Sequence, residues 1–109
     1  MIQKNILVAN WKMSLGLKQS MSLAKKINLK IEHNSLSNVI IAPSYQNISS
    51  ISDMQNKNFS LSSQDCSACE NGPYTGDVSA SMVRELKCEY VIIGHSERRL
   101  NHNETEKTI

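Results

Sequence analysis

Tyr90-Val91-Ile92-Ile93-Gly94-His95-Ser96-Glu97-Arg98-Arg99 joins a short apolar run to a polar run, with a glycine and a histidine between them. Four consecutive apolar residues read as a strand buried on both faces. Gly94 marks its end, and helix signals resume from about Ser96. The same alternation runs backward through the chain. Ile6-Leu7-Val8-Ala9 and Val39-Ile40-Ile41-Ala42 are further buried-strand runs, the second stopped by Pro43. Leu17, Met21, Ala24, Ile27 and Ile31 recur at steps of four, three, three and four, with Lys25, Lys26 and Lys30 off that face. That is one side of a helix. Tyr45, Ile48 and Ile51 follow at helical spacing, with Ser44 as a cap. Phe59 and Leu61 alternate with serines as a weaker strand. A loop from Gln64 to Thr75 precedes a helix read from Val78, Met82 and Leu86. The order β-α-β-α-β-loop-α-β predicts a parallel sheet with right-handed crossovers. Two architectures fit it, an open doubly wound sheet or an arc of a closed barrel.

Composition narrows the functional classes. The chain has 109 residues, with 12 Lys plus Arg against 10 Asp plus Glu, and a formal net charge of +2. That near-balance, without a basic stripe, argues against a nucleic-acid module. No stretch approaches the ~18 consecutive apolar residues of a membrane span. Met1-Ile2-Gln3-Lys4-Asn5 runs straight into a strand without a signal-peptide pattern. Cys66, Cys69 and Cys88, an odd set without a secretory signal, are expected as reduced thiols in a cytoplasmic setting. One domain, or part of one, is the expectation.

Polar residues stand where the strands finish: Asn10 and Lys12 after the first, Gln64 after the third, His95 after the fourth. Functional groups of parallel α/β folds gather at those carboxyl ends. Asn10-Trp11-Lys12-Met13 occupies the place where a dinucleotide-binding chain would carry a glycine-rich turn. Strand alternation directs Asn10 and Lys12 to one face. An amide beside an ammonium suits an oxygen-rich anion, a phosphate or an enolate; the bland reading is a solvated lysine. His95 at a helix start lies near unpaired backbone amides, which disfavour its protonated form. A neutral imidazole there can donate to a carbonyl and exchange protons with it; otherwise it merely caps the strand. His33 and His102, in polar loops, are read as non-catalytic. Cys66-Ser67-Ala68-Cys69 has the gap of redox and zinc motifs but lacks a second ligand pair, and is read as coincidence. Glu97, Arg98, Arg99 and Glu104 are read as surface ion pairs, individually worth little.

Taken together these segments resemble the triosephosphate isomerase family. Asn10-Trp11-Lys12-Met13 matches its N-W-K-M signature. Asn71-Gly72-Pro73-Tyr74-Thr75-Gly76-Asp77 is similar to its interface loop, and Val91 to Arg99 is its active-site block almost verbatim. The resemblance is collinear over the whole chain and selects the barrel. It implies the N-terminal part, about β1-α1-β2-α2-β3-α3-β4 and the start of a fourth helix, of a TIM (β/α)₈ barrel over 1–109. It implies interconversion of dihydroxyacetone phosphate and glyceraldehyde 3-phosphate through an enediolate, in glycolysis and gluconeogenesis, by a cytoplasmic homodimer without metal or organic cofactor. Lys12 would bind the anionic end of substrate and stabilise the enediolate, with Asn10 beside it. His95 would be the electrophile and proton shuttle. Ser96 would contact the catalytic base, and Glu97 would lie near Lys12. Gln64 and Thr75 would support the subunit interface.

Departures from the family pattern carry expectations of their own. Asp65 replaces a frequent Asn, Pro73 a usual Ala, and Lys87 and Asn103 two common glycines. A TIM barrel takes about 250 residues. The family's glutamate base and glycine-rich phosphate loops follow later strands, to which nothing here corresponds. The chain is therefore expected to be inactive by itself, and to be marginal, to aggregate, or to pair with a second copy or a separately made C-terminal half. A non-catalytic half-barrel serving as an oligomerisation or scaffold piece is the alternative. A half-barrel that binds phosphorylated metabolites is a third.

Overall fold

The computed structural model describes residues 4–31 and 37–109; His33 lies outside them. Four strands and four helices alternate: β1 (Asn5–Asn10), α1 (Leu17–Lys30), β2 (Ser37–Ala42), α2 (Tyr45–Ser52), β3 (Ser60–Ser63), α3 (Ala80–Glu85), β4 (Tyr90–Val91) and α4 (Ser96–Asn101). The strands form one sheet in the order β1-β2-β3-β4, every neighbouring pair parallel. Each parallel step needs a crossover, and the helical segments between the strands supply them. Sequential strands in spatial order, curled with helices between them, make a partial (β/α)₈ barrel rather than a doubly wound sheet, whose strand order reverses at a switch point.

The core lies between the sheet and the helices. Ala24 from α1, Ile41 from β2, Ile48 and Ile51 from α2, Leu61 from β3 and Val83 from α3 are buried together with Phe59 and Cys88. Alternation along β2 explains the selection, because Ile41 faces the helices while Ile40 and Ala42 face the other side. One buried amide ties α2 to α1 and to the turn before it. Asn47 donates from Nδ2 to Ser20 Oγ at 3.0 Å and to the Leu15 carbonyl at 3.1 Å. Lys25, Lys26 and Lys30 lie exposed on the far side of α1, as the periodicity requires.

Two elements differ from the sequence reading. The apolar run of β1 forms a strand, but it is not buried on both faces: Ile6, Leu7 and Val8 are 64%, 58% and 48% exposed. Among the described residues β1 is an edge strand, with no neighbour beyond it to cover its side chains. The run from Tyr90 to Ile93 contributes only Tyr90 and Val91 to the ladder. Glu89 and Ile92 extend it with single bonds from their N–H groups to the Leu61 and Ser63 carbonyls. β4 is the other edge, and Ile93 is 54% exposed.

Lys87 and Asn103 both have positive φ, 65° and 57°. Left-handed backbone strains a residue carrying a Cβ and costs lysine roughly 1 kcal/mol more than glycine. Lys87→Gly is therefore expected to stabilise the chain by about 1 kcal/mol, read as a raised midpoint of urea unfolding; a lower midpoint would show that the lysine side chain contributes more than its backbone strains. Gly94 also has positive φ, 62°, and a Cβ there would stand 2.7 Å from Ile109 Cδ1, so that the Ile109 side chain would have to shift.

Candidate functional site

At the carboxyl ends of the strands a cavity of about 620 Å³ is lined by Asn10, Lys12, Gln64, His95, Glu97 and Arg98, among others. The first strand, the third and the turn after the fourth each deliver a group to it. Asn10 ends β1. Lys12 lies two residues on, after the backbone has left the strand and turned to φ 54°. Alternation thus fails as the reason the two residues share a face. They share the cavity because Asn10 Oδ1 accepts the Lys12 N–H at 3.0 Å and turns the chain back. The Lys12 carbonyl accepts from Gln64 Nε2 at 2.9 Å, and the same nitrogen donates to the Ala42 carbonyl at 2.8 Å. Left-handed lysine costs about 1 kcal/mol or more, and both of its backbone polar groups are held by side-chain amides.

Lys12 Nζ donates to Glu97 Oε1 at 2.6 Å, across 85 positions of sequence. That hydrogen-bonded ammonium, chiefly, holds the Glu97 carboxyl below the usual carboxylate value. Both side chains are about half exposed, so the pair adds little stability. Its importance is positional, because it brings the first strand's cation to the helix that begins beside His95.

His95 caps α4, its Nδ1 accepting the Glu97 N–H at 3.1 Å. With that lone pair engaged, a neutral ring carries its proton on Nε2, where it is a donor. Glu97 Oε2 stands 3.7 Å from Nδ1, beyond hydrogen-bond reach, so the backbone bond rather than the carboxylate fixes the ring. Ser96 is the exposed first residue of α4. His102, at the other end of that helix, also lines the cavity and is exposed. Thr75 lies far along the exposed loop after β3. Three of the residues singled out in the sequence, Lys12, His95 and Glu97, thus lie within one hydrogen-bonded chain. Asn10 and Gln64 support its first member.

A second network, which the sequence showed only in part, runs along the wall of the same cavity. Arg98 Nε donates to Glu104 Oε2 at 2.7 Å, and its Nη2 lies 3.3 Å from Asp65 Oδ2. Tyr45 donates its hydroxyl to the Asp65 carbonyl. Asp65, the departure from a frequent Asn, so anchors α4 to the end of β3; its carboxyl is raised, mainly by burial, against the lowering pull of Arg98. Burial, then the Asp65 charge, pushes Tyr45 up to about 12, and burial pushes Cys88 from 9.0 to about 11. Both groups hold their protons more tightly folded than unfolded, so stability falls as pH rises through these ranges. The urea midpoint is expected to drop between pH 9.0 and about 12, and to drop less steeply in a Tyr45→Phe/Cys88→Ala double variant. Equal slopes in the two proteins would refute the assignment.

Cys66 and Cys69 are half-buried free thiols and Cys88 a buried one. Among the described residues no group of three or more His, Cys, Asp or Glu is placed to hold a metal ion. No helix among them is long and apolar enough to cross a membrane.

A partial (β/α)₈ barrel with a cation and an imidazole sharing one cavity at the carboxyl ends of its strands defines the class: a barrel scaffold with its polar side chains gathered at the face where barrel enzymes carry their sites. A family model described as triosephosphate isomerase matches residues 5–109. The chain is 40% identical over 110 residues to the triosephosphate isomerase of Buchnera aphidicola subsp. Cinara cedri, covering 97% of this chain and 43% of that protein. It is 38% identical over 106 residues to that of Porphyromonas gingivalis, covering 95% and 42%, and 32% identical over 109 residues to that of Geotalea uraniireducens, covering 99% and 43%. The chain belongs to the triosephosphate isomerase family. It spans less than half the length of the curated relatives it matches.

Proposed function

We propose that this chain supplies the electrophilic and cationic part of a site that interconverts dihydroxyacetone phosphate and glyceraldehyde 3-phosphate through an enediolate. The observation that carries this reading is the junction of Lys12, Glu97 and His95 at one cavity. In it, Lys12 releases Glu97 to meet the substrate's negative charge, and Asn10 orients the same end. His95 donates from Nε2 to the carbonyl oxygen, so that charge developing there is stabilised, and returns the proton between the two oxygens. Abstraction of the carbon-bound proton needs a base. Glu97 and Glu104 each match other positions of the family pattern, and Glu104 is held by Arg98, so neither takes that role. The resemblance places the base after the sixth strand, in a part of the fold beyond these residues.

The 109 residues are therefore expected to show no turnover by themselves in a coupled-enzyme assay; a rate near that of an intact isomerase would overturn this. The whole assembly is read as a cytoplasmic homodimer, with Gln64 and Thr75 supporting the subunit interface. Tyr74 and Met82, each about half exposed on and beside the long loop, favour such an interface. They also leave room for the second reading, a non-catalytic oligomerisation piece, which is set apart by assembly indifferent to Lys12 and His95.

A further inference from the structure

We propose that Gln64 is a positioning residue for Lys12, a role that rests on the reading of Lys12 as the anion-binding group. The inference comes from how three strand ends are joined. β1 and β2 stop pairing at Asn10 and Ala42, and Lys12 lies beyond that ladder at φ 54°. The Ala42 carbonyl accepts the Trp11 N–H at 3.0 Å and, on its other lone pair, Gln64 Nε2 at 2.8 Å. The second N–H of the same amide goes to the Lys12 carbonyl at 2.9 Å. One primary amide thus spends both of its hydrogens on two carbonyls, and ties β3 to β2 and to the turn after β1. Asn10 holds the Lys12 N–H from the other side.

The chemistry demands an amide. A carboxylate at position 64 would face two carbonyl oxygens with no hydrogen to offer, and an alanine would leave the Lys12 carbonyl without this donor. Released, Lys12 would relax toward negative φ, the ordinary preference of a residue with a Cβ. That rotation re-aims the side chain away from Glu97 and from the cavity it shares with His95. Gln64 touches no reacting atom in this arrangement; it acts through the backbone of Lys12.

The test compares the parent chain with Gln64→Ala and Gln64→Glu, all labelled for nuclear magnetic resonance and titrated with inorganic phosphate. In Gln64→Ala the Lys12 backbone and Nζ resonances are expected to shift and broaden, while those of Ile48 and Leu61 stay in place. Phosphate affinity should fall roughly tenfold, as expected for a displaced binding group. Gln64→Glu should behave likewise at neutral pH and recover in part, relative to the parent, as its carboxyl gains a proton and can donate to one of the two carbonyls. That recovery separates positioning from general support of the fold. Unchanged Lys12 resonances in Gln64→Ala would overturn the proposal, and so would shifts spread evenly over Lys12 and the core. A parent chain that ignores phosphate would instead remove the anion-binding reading, and the Lys12 resonances would still decide the positioning role.

Discussion

Joined to the C-terminal part of a full-length relative such as that of Buchnera aphidicola, the chain is expected to gain isomerase turnover, and Lys12→Met in that fusion to lower kcat/KM by about 10³-fold or more. The magnitude follows from where the charge acts. An oxyanion-stabilising donor is worth on the order of 10²–10³ in rate, and a charged donor forms a hydrogen bond roughly twice as strong as a neutral one. Lys12 is also the group that meets the substrate's anionic end, so KM should rise as kcat falls. Methionine keeps most of the stem and removes the charge, while the partly exposed Glu97 it leaves behind can turn to water. Steady-state coupled assays on the fusion and its variant, with circular dichroism to show that both are folded, make the comparison. A loss under about tenfold would mean that the ammonium is only a surface charge.

The second large effect lies in the core. Ile48→Ala is expected to destabilise the chain by about 2–5 kcal/mol, the usual range for emptying a buried isoleucine site. Ile48 is fully buried among Ala24, Ile41, Ile51 and Leu61. Against a total of about 5–15 kcal/mol for a small domain, in a sheet with two exposed edges, such a loss should nearly abolish the cooperative urea transition. Leu29→Ala is the control, because Leu29 is 87% exposed and its removal should move stability by less than about 0.5 kcal/mol. Similar unfolding midpoints for the two variants would place the core elsewhere.

What the sequence disclosed, and what it withheld, divides along physical lines. Element identity was legible wherever one period dominated: the four-three-three-four spacing of α1, the runs of β1 and β2, and the switch from apolar to polar at Gly94. Burial was less so. Ile6-Leu7-Val8 has the composition of a strand enclosed on both sides, and that composition says nothing about whether a neighbour is there to enclose it. The meeting of Lys12 with Glu97 came from the family resemblance, since no local pattern joins residues 85 positions apart. The left-handed turn at Lys12 had no signature at all, because contacts made by Asn10 and by Gln64, 52 positions away, hold it. Asp65 was visible as a departure from the family pattern, but its pairing with Arg98 was not. Lys87 and Asn103 were visible for the opposite reason, each standing where glycine is common, and both have the backbone that glycine favours.

The bare flank of β1 has a consequence for isotope labelling. In a parallel ladder successive amides of a strand point alternately to its two sides. Along Asn5–Asn10, every second N–H is therefore shielded by β2 while its neighbours face the flank that no strand covers among the described residues. Deuterium entering this strand would mark it like the teeth of a comb, fast and slow sites interleaved within a single stretch of backbone.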